Sequence, residues 1–140
     1  MQFKQYDNTY FVYLEKGESV VEELTNFCKE HNILNGHISG IGAMNNIVLG
    51  AYDSNSKEYI KRTFKESHEL ISYTGNIMLL DDEPFIHAHI TIGNHKMEIF
   101  GGHLFSAKIA VVGEFIINKI DGKSKRALND EIGLATWDLE

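Results

Sequence analysis

The stretch Pro84–Ser106, PFIHAHITIGNHKMEIFGGHLFS, holds four of the seven histidines of this 140-residue chain. If Phe85–Gly93 is a strand, successive side chains point to opposite faces. Ile86, Ala88, Ile90 and Ile92 then form an apolar face. His87 and His89 stand together on the other face, beside Phe85 and Thr91. A turn at Gly93-Asn94 leads into a second extended run, His95–Phe100, and Gly101-Gly102 delivers His103. Two extended runs joined by a short Gly/Asn turn pair antiparallel, about 4.8 Å apart. Two histidines on one strand face and a third from the neighbouring segment therefore converge on one point. Three imidazoles with an open fourth position form a catalytic zinc arrangement, with bonds of about 2.0–2.1 Å. His87, His89 and His103 are the expected zinc ligands, and His95 is expected to be a solvated turn residue. The competing view of an HxH pair is polar filler on the wet face of a half-buried sheet. The cupin variant of the motif fails, because Glu98 lies too far along to serve as its glutamate.

Outward from this stretch, Asp81-Asp82-Glu83-Pro84 reads as a solvated acidic turn that enters the histidine strand. Before it, Glu58–Phe64 and Glu69–Leu80 read as strands, the second interrupted by Gly75. Gly36–Ala43 is a glycine-rich loop without the Gly-Lys-Ser/Thr of a phosphate-binding loop. It also lacks the third glycine of a dinucleotide fingerprint, and the strand Ile47–Tyr52 follows where a helix would be needed. A tight strand connection or bulge is the better reading. Near the start, Tyr10–Leu14 is a strand by its aromatic and β-branched content. Ser19 and Glu22 suggest a capping box at the head of an amphipathic helix of about four turns that ends near Asn32. Val20, Val21, Leu24, Phe27, Cys28 and His31 supply its apolar stripe.

After His103, Ile109–Ile117 is a strongly apolar strand, and Gly133–Leu139 closes the chain with another. Ile109, Val111, Phe115 and Ile117 fall on one face, and Ala110, Val112 and Ile116 on the other. One helix cannot cover both faces of such a sheet, so it must curl on itself or meet another subunit. Glu114 is the one carboxylate inside this strand. Either it sits at an edge or in an ion pair, or it orients a histidine or acts as general acid/base. With about seven strands, one clear helix and no βαβ alternation, the fold class is α+β with a largely antiparallel sheet, in a single domain over residues 1–140.

Composition bounds the function. The net charge is −7, with 20 acidic against 13 basic residues, which argues against duplex DNA binding. The densest basic cluster, Lys123–Arg126, is flanked by Asp121, Asp130 and Glu131 and reads as a solvated loop. No apolar run approaches the ~20 residues of a membrane span. The opening MQFKQYDNTYF lacks the regions of a signal peptide, so the cytoplasm is expected. The single cysteine, Cys28, has no internal partner and suits a reducing compartment.

Several segments, in this order, resemble the plants-and-prokaryotes conserved (PPC) domain, also called domain of unknown function 296. The landmarks are Gly40–Ala43 with Leu49–Asp53, then Glu69–Ile77, Pro84–His89, Gly101–Leu104, Glu114 and Gly133-Leu134. The resemblance implies a homotrimer with zinc on His87, His89 and His103. The site itself leaves two roles open: a metal-dependent enzyme of hydrolytic or lyase type with Glu114 as orienting residue or proton shuttle, or a non-catalytic regulatory or DNA-associated module that presents a surface or binds a small ligand, with a structural metal. Plant relatives join the domain to AT-hook peptides that enter DNA. No Arg-Gly-Arg-Pro segment occurs in this sequence.

Overall fold

The computed structural model describes residues 1–140, and its framework is a single nine-stranded sheet. The strands are β1 (Gln2–Tyr6), β2 (Thr9–Glu15), β3 (Gly36–Asp53), β4 (Glu58–Phe64), β5 (His68–Leu80), β6 (Glu83–Gly93), β7 (Ile99–Lys119), β8 (Lys125–Asn129) and β9 (Leu134–Asp138). The one helix, α1, spans Val20–Glu30. The α+β class and the mostly antiparallel sheet hold, but there are nine strands rather than about seven. The additions are β1 and β8, both short and polar. All five residues of β1 are exposed, so no alternation betrays it.

β5 pairs with β6, β6 with β7, β7 with β3 and β3 with β5, so the pairings close into a ring. The sheet therefore takes the first of its two options and curls on itself. Inside lie Ile38, Leu70, Tyr73, Ile77, Ala88, Ile90, Ile92 and Phe115. The alternation expected of β6 is present, with Ala88, Ile90 and Ile92 buried and His87 and His89 turned outward. The β5–β6 hairpin turns on Asp81 and Asp82, both at positive φ (52° and 62°), the conformation of a tight two-residue hairpin.

Long strands replace several shorter ones. The glycine-rich segment is the start of β3, and the register shift between Gly40 and Gly42 is a bulge, as read. Gly42 has φ 155°, and a Cβ there would run into the Val112 carbonyl oxygen. Gly75 does not interrupt β5. The strands expected around His103 and over Ile109–Ile117 are one 21-residue strand, β7. Its register against β3 jumps between Met44↔Ile109 and Gly42↔Gly113. This jump turns Val111 outward, 60 % exposed, and corrects its expected place beside Ile109. The run expected as a strand over His95–Phe100 is a turn as far as Glu98, with His95 exposed. The Asn94 side-chain oxygen accepts from the amides of Lys96 and Glu98 at 2.9 and 3.0 Å, so an Asx turn replaces the ladder.

α1 is three turns long rather than about four, and it buries Val20, Leu24, Phe27 and Cys28. The capping box does not form. The Ser19 side chain makes no cap hydrogen bond, and its backbone bridges to Lys108 instead. Glu18 holds the amino terminus at 2.5 Å. Cys28 is fully buried and its thiol is pushed up to about 12 by desolvation, which makes it inert as a nucleophile. No helix is long and apolar enough to cross a membrane.

Candidate metal centre

The register of β6 against β7 places His89 directly opposite His103, and His87 lies two residues back on the same face. Neighbouring strands and a period of two thus suffice to gather the three rings. Their centroids are 5.1–5.6 Å apart, and one ring nitrogen from each lies within 4.8 Å of the others. In a tetrahedral zinc site with bonds of about 2.0–2.1 Å, paired nitrogens sit about 3.4 Å apart, so small ring rotations close the set. The residues fit such an ion. His103 Nδ1 is buried without a hydrogen-bond partner, an unmet need that a metal bond satisfies. Three imidazoles without a carboxylate or thiolate also leave a coordination position open.

The surroundings favour the neutral form of two of the rings, His87 and His103. Tyr59 of β4 and Phe105 pack on His103 with centroids 4.9 and 4.7 Å away. Burial, aided by His87, His89, Lys61 and Arg126, pushes His103 down to about 4. Burial, then Arg126 and His89, lowers His87 as well. A ligand must offer a lone pair, so neutral rings suit metal binding at neutral pH.

The depressed values carry a sign. The unfolded histidines titrate near 6.5, above their folded values, so between about 6.5 and 4 the unfolded chain binds more protons. Stability from this source is complete above about 6.5 and falls as the pH drops toward 4. Metal-free protein should therefore melt several degrees lower at pH 5 than at pH 7. An equal or higher melting temperature at pH 5 would contradict the buried, neutral histidines.

Arg126 is a member of the site that the sequence reading placed in a solvated loop. It is only 9 % exposed. Its Nη2 donates to Asn76 Oδ1 at 2.7 Å and to His87 Nδ1 at 3.2 Å, and its Nη1 donates to the Ala135 carbonyl at 2.9 Å. The hairpin β8–β9 that carries it is tied down at both ends. At the base, Asn35 accepts from the Ser124 amide at 2.7 Å and donates to its carbonyl at 3.0 Å. At the tip, Tyr52 donates to the Ile132 carbonyl and Lys57 to that of Asp130. Between these anchors the hairpin lays Arg126 and Trp137 against Asn76, the cross-strand partner of His87. Lys125, by contrast, is exposed and pairs with Asp82 at 2.7 Å.

Glu114 does not join the cluster. It is exposed on β7, eleven residues beyond His103, between Tyr13 of β2 and Ile41 of β3. That position is neither a sheet edge nor part of an ion pair. It lies outside the three-histidine group. It lies instead in an open trough of about 740 Å³ whose walls include Phe11, Ile41, Ile71 and Ile116. Thr74 belongs to the same wall and is the cross-strand partner of His89, so trough and histidines adjoin on one outer surface.

Sequence and structure comparisons agree on the kinship of this chain. The model of the Plants and Prokaryotes Conserved (PCC) domain matches residues 1–121. A candidate DNA-binding protein from Bacteroides thetaiotaomicron is 34% identical, with 98% of this chain and 96% of that one covered and a TM-score of 0.95. A plant- and prokaryote-conserved (PPC) protein from Pyrococcus horikoshii is 36% identical, with 98% and 93% covered and a TM-score of 0.87. A metal-containing protein from Archaeoglobus fulgidus is 33% identical, with 98% of each chain covered and a TM-score of 0.87. No curated protein matches.

Proposed function

The chain belongs to the Plants and Prokaryotes Conserved domain family, and from that premise we propose that it is a small zinc-binding protein whose ligands are His87, His89 and His103. The observation that carries this reading is the cross-strand cluster with its buried, unpartnered His103 Nδ1. The metal-containing relative from Archaeoglobus fulgidus supports it. A zinc ion with an open position supplies a water that ionises near neutral pH, the chemistry of hydrolytic and lyase-type enzymes. The chain's own residues present three imidazoles, pack Tyr59 and Phe105 over His103, and hold Arg126 beside His87. No side chain of this chain joins as a fourth ligand, which favours an open site over a purely structural one. The direct test is metal analysis and anomalous diffraction on protein purified without added metal or a histidine tag. One zinc per chain on these three residues is expected, and metal-free protein or another ion would overturn the assignment.

A second reading concerns assembly, and the apolar trough favours it. We infer that the working unit is a homotrimer in which this outer face meets its neighbours. Ile41, Phe11 and Ile71 are 54, 48 and 47 % exposed there, on β3, β2 and β5. A contiguous apolar surface of this kind marks an interaction site. The alternative role, a non-catalytic trimeric module with a structural metal, shares the same assembly and is separated from the enzyme by the fourth ligand.

One relative is described as a candidate DNA-binding protein, which makes duplex binding a fair question for this chain. A net charge of −7 argues against it, since affinity for duplex DNA comes from neutralising phosphates. Fluorescence anisotropy with labelled duplex at about 150 mM salt should give a Kd weaker than about 1 µM. Sub-micromolar, sequence-dependent binding would reverse this conclusion.

A further inference from the structure

Arg126 and His87 make a contact that is incompatible with metal binding as it stands. The guanidinium Nη2 donates to His87 Nδ1, so that nitrogen carries the lone pair and the neutral ring holds its proton on Nε2. Binding through Nδ1 would displace the arginine. Binding through Nε2 would move the proton to Nδ1 and set donor against donor. Either way, loading the three histidines releases one Nη2 hydrogen. The adjacent Nε–H is already buried and unpartnered. Nε and Nη2 form one edge of the guanidinium fork, the edge that grips a carboxylate or phosphate with two parallel hydrogen bonds.

We propose that Arg126 is the anion-binding residue of the metal centre. Loading the site frees its Nε/Nη2 edge from His87, and the ligand that takes this edge carries a carboxylate or phosphate group. This rests on the zinc reading and adds the ligand's chemical class to it. The field around the rings agrees. Lys61 lies over the Phe105 ring at 3.9 Å, and Phe105 packs on His103, so a second cation stands near the rings. The cluster contains no carboxylate, and Arg126 makes no ion pair. In a chain of net charge −7, such a spot is chosen ground for an anion. The remaining hydrogen bonds, to Asn76 and Ala135, keep the guanidinium plane in place after His87 lets go.

The test uses inorganic phosphate and, in a separate arm, acetate as probes, with metal content measured on every sample. Calorimetric titration should show at least about tenfold tighter binding of one of the two anions to zinc-loaded than to metal-free wild type, and that anion identifies the class. Arg126→Gln should lose at least about tenfold in that affinity while keeping one zinc per chain. Because a buried arginine can be needed for folding, a wild-type readout stands beside it. Arg62 and Arg126 are the only arginines, so the Arg126 Nε–H resonance is readily assigned. It should shift on anion addition to the zinc-loaded protein and stay still in the metal-free one. Zinc bound at one per chain with an unmoved Nε–H signal, or with anion affinity indifferent to the loss of Arg126, would overturn this proposal alone. A wild type that takes up no zinc would remove the metal reading and this one together.

Discussion

Replacing His89 with alanine should lower zinc affinity by at least about a hundredfold while leaving the metal-free fold intact. Both halves follow from where the residue sits. His89 is the most exposed of the three histidines, on the outward face of β6, and its removal opens no cavity in the interior built by Ala88, Ile90 and Ile92. Surface substitutions of this kind typically change stability by no more than about 0.5 kcal/mol. The metal, however, loses one of only three protein ligands. Apparent binding energies of structural zinc sites run to about 10–16 kcal/mol over four ligands, so each is worth roughly 2.5–4 kcal/mol, or two to three orders of magnitude. Competition against a chromophoric chelator measures the loss, and the melting temperature of metal-free protein checks the fold. His95→Ala is the matched control, because His95 is exposed in the β6–β7 turn outside the cluster. One zinc per chain retained at near wild-type affinity in His89→Ala would remove His89 from the site.

The histidine strand was legible because its information is local. Alternation alone assigns Ala88, Ile90 and Ile92 to the interior and His87 and His89 to the exterior, and a Gly-Asn turn brings the next strand alongside. The bulge in β3 was legible for the same reason, since two glycines one residue apart mark a close backbone approach. What escaped depends on contacts remote in sequence. Arg126 looks solvated among lysines and acids, and only the docking of its hairpin on Asn35, Tyr52 and Asn76 buries it. Its neighbours in the sequence stay exposed and follow the local rule. Glu114 takes a position outside the edge and ion-pair readings. An acid in an apolar run looks buried, yet every second residue of that half of β7 faces outward, and Glu114 and Ile116 share that outer face with the trough. The strand is apolar on both sides, and the Ile116 side chain of its outer side lines the trough.

That outer side gives the second large effect. Ile41→Glu should convert a trimer into a monomer of 15.9 kDa, a threefold drop in mass by sedimentation equilibrium at micromolar protein. Ile41 is 54 % exposed, so a charged side chain there is solvated in the isolated chain and the fold is spared. Its cross-strand neighbour on β7 is Glu114, so the substitution sets two carboxylates side by side in the middle of the trough. Brought against an apolar partner surface, both would leave water without a counter-charge, at a cost of several kcal/mol per site, and a closed trimer repeats that cost at each interface. Ile41→Gln separates charge from shape: it is close in size, polar and uncharged, and should weaken assembly far less. Wild-type protein that sediments as a single 15.9 kDa species would rule out the trimer, and a trimeric Ile41→Glu variant would move the interface away from the trough.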